Sequence, residues 1–106
     1  MSMGASIVTY PVDPQQAEEL HRRVREHVVP AARQVEGYRG FLLLDQGDSK
    51  RLALLLFDSL AGAQAAQQVL GPIGREQTYA LMTGPAVGAL GTVVIADGIF
   101  ADQVTP

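Results

Sequence analysis

The sequence predicts an α+β fold: a ferredoxin-like β-α-β-β-α-β chain with one four-stranded antiparallel sheet. Three observations predict it. Phe41 to Leu44 and Leu52 to Phe57 form two apolar runs around a polar turn at Gln46 to Lys50, the pattern of a β-hairpin. A long amphipathic stretch precedes that hairpin, and a second helical stretch follows it. Short apolar strand patterns stand at the two ends of the chain, giving the split βαβ order with both helices on one side of the sheet.

The first strand is Ala5 to Tyr10, with Ile7 on one face and Val8 and Tyr10 on the other. Pro11 ends it, because proline cannot donate to a ladder. Asp13-Pro14-Gln15-Gln16 is a helix start: Asp13 suits the N-cap, Pro14 loses nothing at the first helical position, and Gln16 can complete a capping box. Ala17, Leu20, Val24, Val28, Ala31 and Val35 then fall in a stripe roughly 80° wide, which reads as one long helix lying on a sheet. Pro30 removes the bond to the Glu26 carbonyl and is expected to kink it, and Gly37 terminates it.

In the hairpin, Leu42-Leu43-Leu44 and Leu54-Leu55-Leu56 point to both faces of the sheet. Helices from so short a chain cover one face, so a second copy is expected to cover the other, sheet to sheet. Asp58 or Ser59 caps a second helix, Leu60 to Leu70, which Gly71-Pro72 is expected to break before Ile73 to Met82 resumes. Val87 to Ala96 holds the last strand, best at Thr92 to Ala96. In the tail beyond Asp97, Ile99 and Phe100 are expected to pack across a neighbour.

The length of 106 residues predicts one domain over 1–106. The net charge is −3 and the eight Lys and Arg residues form no stripe, so nucleic acid is not an expected partner. With no cysteine, thiolate nucleophiles and cysteine-based metal sites are excluded, and no histidine-carboxylate spacing suggests a metal. The first residues carry no signal-peptide pattern, and the longest apolar run falls far short of the about 20 residues needed to cross a bilayer. No membrane partner and a cytoplasmic location are expected.

Gly37-Tyr38-Arg39-Gly40-Phe41 after a long helix, then an apolar strand, a short polar turn, and Leu-Leu-Leu-Phe-Asp-Ser leading into a helix, resembles the antibiotic biosynthesis monooxygenase family. More broadly it is similar to the dimeric α/β-barrel superfamily, and the resemblance runs from Ile7 to Ile95. It implies a homodimer whose sheets form a barrel, with a pocket in each subunit between sheet and helices. It also implies a cofactor-independent oxidation of an aromatic or polyketide-like small molecule by molecular oxygen, with no metal or flavin. Two alternatives stay open: a non-catalytic small-molecule-binding or structural homodimer of the same fold, and, on the pattern of other superfamily members, haem bound through His27 or Tyr79. Phe57 stands where such proteins often carry tryptophan, and the chain has neither tryptophan nor asparagine.

Candidate residues follow from chemistry. Histidine suits proton transfer near neutral pH. His21 and His27 sit roughly 120° apart on the helical wheel, so they cannot share a metal, and His27 borders a helix–sheet pocket or is a half-wet boundary residue. Tyr79 can steady a developing oxyanion, or simply be an amphipathic surface aromatic. Arg75, four residues earlier, shares its face if the helix is continuous, and otherwise pairs with Glu76. These three form the expected catalytic set. Phe41, Phe57 and Tyr38 are the expected substrate-binding aromatics, with core packing as the rival role for such residues and Tyr10 beside them.

Overall fold

The structure, a computed structural model, describes residues 2–98. Four strands form one antiparallel sheet in the order β2-β3-β1-β4, where β1 is Gly4–Pro11, β2 Tyr38–Gly47, β3 Lys50–Phe57 and β4 Val87–Thr92. All helical segments lie on one face. This is the ferredoxin-like plan, and the α+β expectation holds.

The hairpin turns through Asp48 and Ser49, both in the left-handed region at φ 50° and 58°. That geometry matches the twist of the flanking strands, and Asp45 accepts from the Gly47 N–H at 2.9 Å just before it. Facing partners across the sheet sort the leucines. Leu42, Leu54, Ile7 and Ala89 form one outward row, and Leu44, Leu52, Thr9 and Val87 the next. Inward lie Phe41, Leu43, Ala53, Leu55, Ser6, Val8 and Tyr10.

The first helical stretch is not one α-helix. Asp13 accepts from the Gln15 N–H over a 3₁₀ turn, Pro14–Gln16, and α1 then runs Ala17–Arg23. A π turn occupies Val24–Val28, and α2 runs Val29–Arg33. The disturbance expected at Pro30 therefore takes the form of a widened turn immediately before it, in which the Val29 N–H reaches back to Val24. A π turn inserts one residue into the helical phase. Accordingly Ala32, not Ala31, reaches the core, fully buried against Phe57 and Ala63.

The second helix, α3, is continuous over Leu60–Thr78, capped by Ser59, whose Oγ accepts from the Gly62 N–H at 3.0 Å. The break expected at Gly71-Pro72 does not occur. Proline disfavours helical geometry in its predecessor through a clash with that residue's Cβ, and Gly71 has none. Pro72 and Gln68, whose carbonyl loses its donor, both face solvent, where water serves instead. A 3₁₀ turn, Tyr79–Leu81, ends the element.

Strand β4 stops at Thr92, so most of the segment with the strongest β-propensity lies beyond it. β1 supplies partners only as far as Gly4, which pairs with Thr92, and the last bond is Val93 N–H to the Met3 carbonyl at 2.8 Å. Propensity without a neighbouring strand makes no sheet. Val94 and Ile95 stand exposed, and Ile99 and Phe100 fall outside the described residues.

Candidate functional site

Between sheet and helices lies a cavity of about 480 Å³. Its floor is Ser6, Val8, Tyr10, Phe41, Ala53 and Leu55 from the inward face of the sheet. Val24 and Val28 wall one side, the two ends of the π turn, and Gln67, Leu70, Gly71, Gly74, Arg75 and Thr78 wall the other. Continuity of α3 through Pro72 is what puts these last positions, three or four apart, on one face. Gly74 helps leave the space: a Cβ there meets no atom within 4 Å.

The wall is mainly apolar, with a few polar groups turned to it. Ser6 is buried, and its Oγ accepts from Gln67 Nε2 at 3.4 Å. Thr78 gives its hydroxyl proton to the Gly74 carbonyl at 2.6 Å. Tyr10 is buried, and that burial pushes its phenol up against the opposing pull of Arg51. Arg75 is exposed and makes no hydrogen bond or ion pair among the described residues. Tyr79 stands beside the cavity, 64% exposed. No carboxylate appears among the described lining residues.

Phe41, Arg75 and Tyr79 line this cavity. The structure places the other three expected site residues elsewhere. His27 is exposed on the π turn, one residue before the cavity-facing Val28 and so about 100° around the helix from it. Phe57 is fully buried among Ala32, Ala63 and Ala66, where the two helices close on the sheet. Tyr38 packs edge-on against it, ring centroids 6.3 Å apart at 73°. Both are core aromatics, outside the cavity lining.

Sequence reasoning passed over Ser6, Gln67 and Thr78. The alternation of β1 already put Ser6 on the face of Val8 and Tyr10, and that was the available signal. His21 serves structure instead. Arg51, 6% exposed, donates from Nε to His21 Nε2 at 3.1 Å and reaches Asp45 at 3.1 Å, tying α1 to the hairpin. A second depression of about 530 Å³ between the end of α2 and the start of α3 is more open and carries Glu36 and Asp58. Among the described residues no cluster of histidines and carboxylates could hold a metal, and no helix is long and apolar enough to cross a membrane.

No protein-family model and no curated protein matches the sequence. Solved structures do match in fold. A protein of unknown function from Nitrosomonas europaea is 20% identical, with 92% of this chain and 94% of that one covered at a TM-score of 0.77. A presumptive antibiotic biosynthesis monooxygenase from the same organism is 17% identical over 91% and 94% of the chains, TM-score 0.74. A monooxygenase of Streptomyces coelicolor, solved in complex with nanaomycin D, is 20% identical over 91% of both chains, TM-score 0.74. The resemblance read from the hairpin is thus met in three dimensions: this chain has the fold of the antibiotic biosynthesis monooxygenase structures.

Proposed function

We propose that the protein is a cofactor-independent monooxygenase, working as a homodimer on an aromatic, polyketide-like small molecule held in the helix–sheet cavity. The observation that carries this is the cavity itself: about 480 Å³, apolar-walled, with the Arg75 cation and the Tyr10 and Tyr79 phenols in its lining and no described carboxylate. Such a chamber suits a flat organic molecule with a developing negative oxygen. The like-folded Streptomyces monooxygenase bound to nanaomycin D supports the substrate class.

The chemistry is substrate-assisted. A phenol or enol bound against Phe41 loses its proton to water at the cavity mouth. Arg75 and Tyr79 hold the resulting oxyanion by charge and hydrogen bond. The ring carbon passes one electron to molecular oxygen, and the resulting radical pair joins as a C–O bond. The peroxide anion takes a proton back from water to become a hydroperoxide. Loss of water from that carbon, taking its hydrogen and the outer oxygen, leaves a new carbonyl, so one oxygen atom is inserted and the other leaves as water. His27, being outside the cavity, moves no proton in this scheme.

Anthrone is a direct test, since it can be carried to anthraquinone by one equivalent of oxygen. Uptake above the protein-free rate is expected, falling about 10- to 1,000-fold in Arg75→Ala, with a smaller loss in Tyr79→Phe, while His27→Ala changes nothing. Uptake equal to the blank across a panel of such phenols and enols leaves the second reading, a non-catalytic binding protein. The exposure of His27, which leaves no histidine at the cavity, favours that reading.

The homodimer rests on the outward face of the sheet. Ile7, Leu42, Leu44 and Val87 are 37%, 39%, 48% and 66% exposed there. A twofold partner packing sheet to sheet buries them. Leu54→Asp, in the same outward row as Leu42 and Ile7, is expected to yield monomers by sedimentation, because an unpaired charge at a buried interface is costly. A dimer that survives this change with the same stability removes the sheet-to-sheet arrangement.

A further inference from the structure

The cavity holds more hydrogen-bond donors than its own walls satisfy. Ser6 is 8% exposed, and the long 3.4 Å contact from Gln67 Nε2 occupies an oxygen lone pair, leaving the hydroxyl hydrogen with no acceptor among the described residues. Four residues on, on the same face of β1, Tyr10 is 6% exposed, and its hydroxyl makes no hydrogen bond to any described residue. Burial keeps that phenol protonated through the ordinary pH range, so it can donate. Thr78 differs, since its proton is already committed to Gly74. Acceptors facing these groups are scarce, with no carboxylate among the described lining residues. A buried hydroxyl stripped of water and left unpaired costs roughly 1–3 kcal/mol, so an occupant that displaces water from this wall must bring an acceptor of its own.

We propose that Ser6, steadied by Gln67, is a donor subsite on the sheet wall of the cavity that takes a carbonyl oxygen of the ligand, with Tyr10, about 13 Å further along β1, a separate donor. It rests on the reading above that the cavity binds a flat organic molecule, and it adds which edge of that molecule faces β1. Arg75 and Tyr79 meet the negative oxygen on the helix side. The Ser6 wall reads a neutral carbonyl and disfavours a hydrocarbon of the same outline.

Two probes of one shape and charge isolate the effect: 9-fluorenone-2-carboxylate and fluorene-2-carboxylate, which differ by a single carbonyl. Calorimetric titration of the full chain is expected to show the ketone binding about tenfold tighter, the worth of one hydrogen bond. Ser6→Ala should bring the ketone to within about twofold of the hydrocarbon and leave the hydrocarbon's affinity as it was. Gln67→Ala, at an exposed position where folding is not at risk, should lose about threefold for the ketone alone, and Tyr10→Phe should leave the ketone's advantage in place. Arg75→Met should weaken both probes equally, since they share the carboxylate. Equal affinity of the two probes, a ketone preference that survives in Ser6→Ala and Gln67→Ala, or no binding of either probe overturns the subsite. Oxygen uptake plays no part in this titration. A carbonyl preference without turnover keeps the subsite and removes the catalysis, and turnover without a preference does the reverse.

Discussion

The two halves of α3 cross the same sheet to opposite ends. In the first half, Ala63 and Ala66 are 0% and 1% exposed and press onto Phe57, which no solvent reaches. The approach there is so close that a Cβ on Gly4 would lie 2.3 Å from the Ser59 carbonyl oxygen. In the second half Gly71 and Gly74 replace the alanines over a floor that runs from Ser6, Val8 and Tyr10 to Phe41, and a cavity remains. Where the helix carries alanine over Phe57 the layer closes; where it carries glycine the layer stays open even over Phe41 and Tyr10, and the polar groups around the opening become available for chemistry.

Several substitutions break or sharpen this contrast. Phe57→Ala carries the largest effect: about 3–5 kcal/mol of stability lost in urea unfolding, as for other buried aromatics. A loss below about 1 kcal/mol would mean the closed half is not well packed. Next come two matched glycine changes of opposite sign. Gly4→Ala drives a methyl into the backbone at Ser59 and is expected to cost about 1–3 kcal/mol. Gly74→Ala meets open space and is expected to stabilise the helix by up to about 1 kcal/mol through propensity alone. Gly74→Leu in turn fills the cavity and should abolish fluorenone carboxylate binding while the fold persists.

The smallest effect concerns the strut on the open half. Glu19 accepts from Arg22 and Arg23, and Arg23 also donates to the Gln77 carbonyl at 3.1 Å, tying α1 to the cavity end of α3. Hydrogen bonds from the two arginines hold the Glu19 carboxyl down at about 2, against an ordinary value of 4.5. A carboxyl lowered on folding adds stability above its unfolded value, and that stability fades as pH falls through the folded one. The difference in melting midpoint between the native chain and Glu19→Gln should therefore be full above pH 4.5 and vanish near pH 2. A difference that does not change with pH would show that the exposed network contributes through packing alone.

Much of the fold was legible because it depends on local pattern. The Asp13 and Ser59 caps, the turn around Asp48, the terminating Gly37 and the inward and outward leucines all follow from residue type and period. The two prolines were harder. Pro30 and Pro72 both face solvent, yet one is preceded by a π turn and the other sits in an unbroken helix, because Pro72 follows Gly71, which has no Cβ to clash, whereas Pro30 follows Val29. The site was legible only in part. Phe41, Arg75 and Tyr79 could be picked out by chemistry, but nothing local distinguishes Phe41, which floors a cavity, from Phe57, which fills a core.

The sequence by itself determined the order and type of the elements and the excess of apolar strand surface, since these rest on the alternation of a strand and the turn of a helix. Only the assembled fold settles where α3 stands off the sheet, that one inserted residue brings Ala32 inward, and that Ser6 meets Gln67 while the Tyr10 hydroxyl meets no described partner. Those depend on what arrives from distant parts of the chain to face each side chain, and a one-dimensional pattern carries no record of which residue fills the space opposite.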